Sequence, residues 1–335
     1  MRHRHFCSRC IMNVQTIKTR VERWPIAGAF AISRGAKTEA VVVVVEICDG
    51  EFKGRGECVP YSRYGESVKS VVATIERLGQ SLNRQTLQNA ISAGAARNAL
   101  DCAFWDLEAK RAGFPAYKLA GMNALKPLIV SYTLSLDTPE KMAAAAGRSA
   151  ARPLLKIKLG ANGDPDRLKA VRKAAPNVRI CVDANEGWTA ENLAENLAAC
   201  QAYGVELVEQ PLPASDDAVL AHISHAIPIC ADESQFDRAS LANLAGKYDA
   251  INIKLDKTGG LTEALATATQ ARQMGLNLIV GCMVSTSLAI APALLVAQQA
   301  SIVDLDGPLL LAQDRADGLR YADGLVYPPT PALWG

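Results

Sequence analysis

Beyond residue 127 the sequence repeats one pattern, a short apolar run followed by an Ala- and Leu-rich stretch with helical spacing. The runs are LIVSYTL, PLLKIKL, VRICVDA, VELVEQ, PICADE, DAINIKL, LNLIVGC and SIVDLD. They recur every roughly 22 to 27 residues, the length of a strand with a crossover helix and its loops. Parallel strands covered on both faces are apolar throughout, and eight in series suit a (β/α)-barrel. A doubly wound open sheet would repeat in the same way. A dinucleotide-binding version of it would carry a Gly-x-Gly-x-x-Gly turn, whereas Thr258-Gly259-Gly260 follows a run without the third glycine.

The first third differs. AVVVVVEI, DGEFKG and RGECVP read as an antiparallel hairpin turning at Asp49-Gly50, because Asp-Gly suits a tight turn between strands. Ala90 to Ala112 follows a helical repeat. The expected architecture is therefore α/β: an N-terminal α+β capping domain over residues 13–125 and a (β/α)-barrel of modified TIM type over 126–312. Residues 1–12 are read as a disordered extension and 313–335 as a segment returning to the cap.

Composition narrows the function. With 36 basic and 34 acidic residues and no basic stripe interleaved with aromatics, nucleic acid is not the expected partner. The apolar segment from Leu288 to Ala297 contains Pro292 and is too short for a membrane span. MRHRHFCSRC lacks the apolar core of a secretory signal, so the expected compartment is the cytoplasm. Nine scattered cysteines read as reduced thiols. His3, His5, Cys7 and Cys10 offer zinc-ligand spacing, but at an unpatterned terminus rather than across a folded loop.

The runs end in charge. Lys156 and Lys158 close the second, Asp183 the third, Glu209 the fourth, Asp232 the fifth, Lys254 the sixth, and Asp304 with Asp306 the eighth. In a barrel these ends meet at the face where active sites lie. Three converging carboxylates repel one another, and an all-oxygen set favours magnesium over zinc. Separate helix-capping acids would be the plainer reading of any one of them. Lys156 and Lys158, two apart on a strand, share a side, where like charge and burial are expected to lower an ammonium pKa. Lys254, four strands on, would face them across the metal. His222 and His225 fall in the helical stretch after the fourth run, away from any strand end.

The order Lys156-Ile157-Lys158, Asp183-Ala184-Asn185, Glu209-Gln210-Pro211, Asp232-Glu233-Ser234 and Asn252-Ile253-Lys254 resembles the muconate-lactonising subgroup of the enolase superfamily. GECVPYSRYGES, AGAARNALDCAFWDL, CVDANEGW, VEQPLPA, ICADES and NIKLDKTGGLTEALA are similar to the dipeptide epimerases within it, those acting on L-Ala-D/L-Glu. The resemblance implies one Mg2+ per subunit held by Asp183, Glu209 and Asp232, with Lys158 and Lys254 as the acid/base pair. Lys156, Asn185 and Glu233 would support them. Asp304 and Asp306 would hold the α-ammonium of the dipeptide, and Arg34 would meet a glutamate side chain. The implied reaction is a 1,1-proton transfer at the α-carbon of the C-terminal residue through an ene-diolate, with a role in cell-wall peptide recycling. A homo-oligomer is left open.

Rivals within the subgroup are N-acylamino acid racemase, o-succinylbenzoate synthase and muconate cycloisomerase, none of whose substrates brings an ammonium to Asp304 and Asp306. A Schiff-base aldolase using Lys254 would leave the acids without a purpose. A metal-stabilised binding protein would leave the opposed lysines without one.

Overall fold

A computed structural model describes residues 14, 16–78 and 82–335. The expected extension over residues 1–12 and the Cys7/Cys10 cluster lie outside these residues.

The cap opens with an antiparallel sheet of β1 (Thr16–Ile32), β2 (Gly35–Cys48) and β3 (Lys53–Cys58), in that spatial order. The β2–β3 hairpin turns through Asp49 and Gly50, pairing Cys48 with Lys53. Five consecutive valines in β2 need both faces covered, and both are. Val43, Val45 and Ile47 pack on the cap helices α1 (Val68–Glu76), α2 (Arg84–Ala90) and α3 (Ala95–Ala112), while Val42 and Val44 join the core shared with the barrel. Ser67 and Asn83 cap α1 and α2 through their side chains, satisfying amides that a helix start otherwise leaves unpaired. A single turn, α4 (Ala116–Leu119), and a two-residue strand, β4 (Leu128–Ile129), lead into the barrel.

Eight parallel strands follow: β5 (Tyr132–Leu134), β6 (Leu154–Lys158), β7 (Arg179–Asp183), β8 (Val205–Glu209), β9 (Ile229–Ala231), β10 (Ala250–Ile253), β11 (Asn277–Gly281) and β12 (Ile302–Asp304). Each pairs with the next in chain order, and the ring draws nearly closed where the Ser131 amide donates to the Val303 carbonyl at 2.9 Å. All eight lie within the eight expected runs. Crossovers run through α5 (Pro139–Arg148), α6 (Asp164–Ala174), α7 (Ala190–Ala202), a single turn α8 (Leu255–Thr258), α9 (Leu261–Gln273) and α10 (Ser287–Ala297).

Two crossovers depart from the expectation of a helix after every run. After β8 and β9 the chain forms only 3-10 turns, Asp217–His222 and Ala239–Leu244. Pro211, Pro213 and Pro228 bracket the first, removing amide donors at either end. An exposed His222 thus ends the first 3-10 turn and His225 lies in the loop beyond it, neither at a strand end. The apolar segment around Pro292 is a buried helix rather than a span. Among the described residues no helix is long and apolar enough to cross a membrane, and the seven cysteines are free thiols.

The barrel interior is built in layers. Leu154, Cys181, Leu207, Cys230, Ala250, Ile279 and Ile302 form one buried apolar cluster. Side chains alternate along a strand, so the residues two further on also point inward: Lys156, Asp183, Glu209, Asp232, Asn252, Gly281 and Asp304. An apolar floor thus carries a polar layer directly above it.

After Ala312 the chain returns to the cap. Strand β13 (Tyr321–Ala322) pairs with β14 (Leu325–Val326), which pairs with β4, the Trp334 indole donates to the Cys102 carbonyl, and the Gly335 amide donates to Asp106. The helix α3 crosses β3 over Gly54 and Gly56, where an added Cβ at Gly56 would land on the Ala99 carbonyl and 2.9 Å from the Ala103 amide. Backbone cannot yield as a flexible side chain does. Gly56→Ala is therefore expected to destabilise the protein by about 1–3 kcal/mol, read as a lower urea midpoint.

Candidate active site

At the C-terminal ends of β7, β8 and β9, Asp183, Glu209 and Asp232 converge, each offering an oxygen within 4.8 Å of the others. All three are buried. The ends of β6, β7 and β8 lie at one level, Lys158 beside Asp183 and Asp183 beside Glu209, and Asp232 follows two residues after Cys230, the neighbour of Glu209.

Lysines alternate with these acids. Lys156 donates to Glu209 at 2.7 Å and to Asp304 at 2.7 Å, and lies 3.1 Å from Asp183. Lys158 donates to Asp183 at 2.6 Å. Lys254, at the end of β10, donates to Asp232 at 2.6 Å. Lys158 and Lys254 thus hold opposite ends of the triad, four strands apart, with Glu209 between them. Phe30 of the cap covers Lys158, whose ammonium lies 5.6 Å from the ring centroid.

Three residues that sequence reasoning passed over complete the frame. Lys257, fully buried, donates to the Asp232 carboxylate at 2.7 Å and to its carbonyl at 2.6 Å. Its signal was its place three residues after Lys254, which a helical turn brings to the same side. Asn252, seen only as part of a motif, donates to Glu209 at 2.8 Å. It has room because residue 281 is glycine; a Cβ there would lie 2.6 Å from the Asn252 amide. Gln210 accepts from the Asp232 and Ser234 amides through Oε1, and its Nε2 donates to Tyr248 and Ser234, tying β8 to the turn after β9.

Charge and burial compete here. Burial alone would raise Asp183 and Asp232, but Lys158 and Lys156 outweigh it at the first, Lys254 and Lys257 at the second, and both fall below the usual carboxylate range. Glu209 is pushed up to about 8 by burial and by Asp183. Burial works against the charge of Lys156 and Lys254, yet the surrounding carboxylates raise both well above the ordinary lysine value. The expectation that like charge and burial would lower an ammonium of this pair does not hold at Lys156, where Asp304, Glu209 and Asp183 dominate.

The donor set fits magnesium. It is all oxygen, buried and convergent, and magnesium binds through few carboxylates while keeping several waters. Asn185 Oδ1 and Glu233 Oε2, both buried and lining the same cavity, have no partner, so acceptors for such waters stand beside the triad.

The cavity, about 770 Å³, runs from these residues to the cap, where Arg34, Lys37, Tyr61 and Arg63 line it. Asp304 accepts from Ser131 and Lys156, and Asp306 from the Thr133 amide at 2.6 Å. Lys156 and Lys158 hold Asp304 below the usual range against burial; burial and Asp304 push Asp306 up to about 6. Arg34 donates to Glu233 at 2.6 Å, Glu186 at 3.1 Å, the Asn185 carbonyl at 2.8 Å and Tyr61 at 3.3 Å. Every expected site residue therefore lies at one barrel mouth.

A barrel capped by an α+β domain, with acids on three consecutive strand ends and lysines on either flank, defines an enolase-type fold. The chain belongs to the mandelate racemase / muconate lactonizing enzyme family: residues 14–121 match its N-terminal domain, and residues 140–332 match the family described as enolase C-terminal domain-like. It is 47% identical over 320 residues to an L-Ala-D/L-Glu epimerase of Escherichia coli, covering 94% of this chain and all of that one. It is 46% identical over 300 residues to an N-acetyl-D-glutamate racemase of a Pseudoalteromonas species, covering 88% and 95%. An enolase family member from Agrobacterium tumefaciens with homology to dipeptide epimerases, solved with sodium and L-Ala-L-Glu, superposes with a TM-score of 0.94 at 53% identity, covering 95% and 99%. A dipeptide epimerase from Enterococcus faecalis, solved with Mg and L-Leu-L-Tyr, does so at 0.88 and 31%, covering 95% and 97%.

Asn252 fixes the free oxygen of Glu209, and outer partners of this kind set ligand orientation. Asn252→Ala is expected to weaken magnesium binding by about 10- to 100-fold, read by calorimetric titration.

Proposed function

We propose that the protein is an isomerase that epimerises L-Ala-D/L-Glu and related dipeptides by 1,1-proton transfer at the α-carbon of the C-terminal residue. The observation that carries this reading is the pair of lysines, Lys158 and Lys254, on opposite flanks of one acidic triad. Membership of a family with dipeptide epimerases among its relatives supports it.

Asp183, Glu209 and Asp232 would hold Mg2+, which supplies positive charge to the substrate carboxylate as the α-carbon gives up its proton. Lys158 and Lys254 carry the transfer. The neutral amine of one takes the proton from one face of the α-carbon, and the ammonium of the other returns a proton to the opposite face. The two exchange roles for the other epimer. Lys156 holds Glu209 and Asp304 in place. Asp304 and Asp306 receive the α-ammonium of the N-terminal residue, and Arg34 faces the side-chain carboxylate. Phe30 and the cap loops keep water from the lysines. The cytoplasm is the compartment we assign, and peptides released from cell-wall turnover are the source of substrate.

A second reading, racemisation of an N-acetylated glutamate, draws on the Pseudoalteromonas relative. Such a substrate keeps both carboxylates but brings no ammonium to Asp304 and Asp306. Turnover of L-Ala-L-Glu, with N-acetylglutamate at least ~100-fold poorer, a pocket-scale difference for a lost charged contact, is the outcome expected from the first reading. The reverse order selects the second.

Incubation in heavy water with magnesium should add one deuterium at the glutamate α-carbon, scored by mass. Lys158→Ala and Lys254→Ala should each abolish epimerisation, and a variant that interconverts the epimers at the normal rate refutes the assignment. A chelator should remove the activity and magnesium restore it.

Asp306 must be ionised to attract an ammonium. Because its pKa is raised to about 6, the attraction is present above that pH and lost as pH falls through it. kcat/KM for L-Ala-L-Glu should decline below about pH 6, and Asp306→Asn should remove that limb of the profile.

A further inference from the structure

Glu186 lies one turn beyond Asp183 and belongs to neither the triad nor the lysine pair. Its carboxylate is 8% exposed and carries four donors. Arg63 grips it in a bidentate pair, Nε to Oε2 at 2.8 Å and Nη2 to Oε1 at 2.7 Å. Arg34 donates to Oε2 at 3.1 Å, and the Ala214 amide donates to Oε1 at 2.9 Å. The two arginines come from separate cap loops, Arg34 between β1 and β2, Arg63 from the stretch after β3. Glu186 and Ala214 both belong to the barrel.

The backbone is committed to this placement. Asn185 and Glu186 hold positive φ, 45° and 65°, a region that costs non-glycine residues of order 1 kcal/mol. The Glu186 amide donates to the Gln210 carbonyl and Gly187 to Ala184, both at 2.9 Å. A Cβ on Gly187 would lie 2.5 Å from the Gly160 Cα, so the turn is pressed against its neighbour and cannot relax outward.

Arg34 has reason to move without it. Its other carboxylate partner is Glu233, 2.6 Å away and next to Asp232 in sequence, and without Glu186 it would be the one carboxylate left to hold the guanidinium. Glu186 takes the other terminal nitrogen, Nη1 against Nη2 for Glu233.

We infer that Glu186 is a positioning residue: with Arg63 it fixes Arg34 at the cavity wall and ties both cap loops to the barrel, thereby setting preference for an acidic substrate side chain. This rests on the reading of Arg34 as the side-chain contact.

The test compares L-Ala-L-Glu with the near-isosteric neutral L-Ala-L-Gln in the wild type, Glu186→Gln, Arg63→Ala and the double variant, all loaded with magnesium. Each single variant is expected to raise KM for L-Ala-L-Glu about tenfold with kcat within about threefold, the scale of a displaced binding group. KM for L-Ala-L-Gln should stay within about twofold, and the double variant should be no worse than either single one. Equal losses on both dipeptides, or additive losses, overturn the inference. Hydrogen–deuterium exchange of the magnesium-loaded proteins provides the readout that needs no substrate. Both cap loops, residues 31–36 and 60–66, should exchange faster together in each single variant, and loosening of only one loop overturns the tie. A wild type indifferent to Glu against Gln would instead count against the substrate assignment of Arg34, leaving the exchange result to decide the positioning.

Discussion

Like charges crowded into a dry barrel mouth must be balanced there, and that balance governs the architecture of this protein. Six carboxylates, those of Asp183, Glu209, Asp232, Glu233, Asp304 and Asp306, are buried with four lysines, Lys156, Lys158, Lys254 and Lys257. Even with Arg34 paired to Glu233 at 2.6 Å, the carboxylates outnumber the positive groups, which favours a cation among them. The excess shows in the chain's own titration, in Glu209 pushed up to about 8 and Asp306 to about 6. Each ammonium sits 2.6 or 2.7 Å from a carboxylate, and removing one partner would strand a buried charge at a cost of about 3–5 kcal/mol. The layer can bear such density because the apolar floor beneath it, from Leu154 to Ile302, holds the strands at fixed spacing.

The same economy of buried polar groups joins cap to barrel. Asp256, two residues after Lys254, accepts from the Val59 amide and from Asn98. Arg97 of α3 donates to the carbonyls of Thr258 and Gly259, satisfying the end of the turn that carries Lys257. Arg315, in the returning tail, pairs with Glu57 of β3 and Glu22 of β1. The cap is therefore bolted to the elements that present the lysines and metal-facing acids, so the loops bearing Arg34 and Arg63 close over a surface whose position is already set.

What could be read from the sequence follows from which signals are periodic. Eight apolar runs identified the strands because burial on both faces leaves a continuous hydrophobic stretch, and charges breaking that stretch at its end marked the catalytic face. The missing crossover helices after β8 and β9 were hidden because Ala- and Leu-rich segments look helical whatever their length, while the prolines bracketing the first are local. Gln210 and Glu186 carried no periodic signal; their roles come from left-handed backbone at turns, which polar residue identity does not disclose. Lys257 was concealed by its own depth, since a lysine on a helical turn usually reaches solvent. Arg34 was visible as a loop cation, but its partners Glu186 and Glu233 lie some 150 and 200 residues away in the chain and only the fold unites them.

Lys156 shows why the reaction and the choice of substrate are not independent in this fold. One ammonium bridges Glu209 of the triad and Asp304 of the cavity wall, both at 2.7 Å. A positive group arriving beside Asp304 and Asp306 would share Asp304 with Lys156, and Lys156 would lean on Glu209 more strongly. With the dipeptide placed as proposed, the charge of its amino end would be felt at the acids under its carboxyl end through a single side chain. A substrate without that charge would leave Asp304 to Lys156 and Ser131 and the triad more negative in its surroundings. On that placement, specificity at one end of the cavity and electrostatics at the other would be two readings of the same buried network.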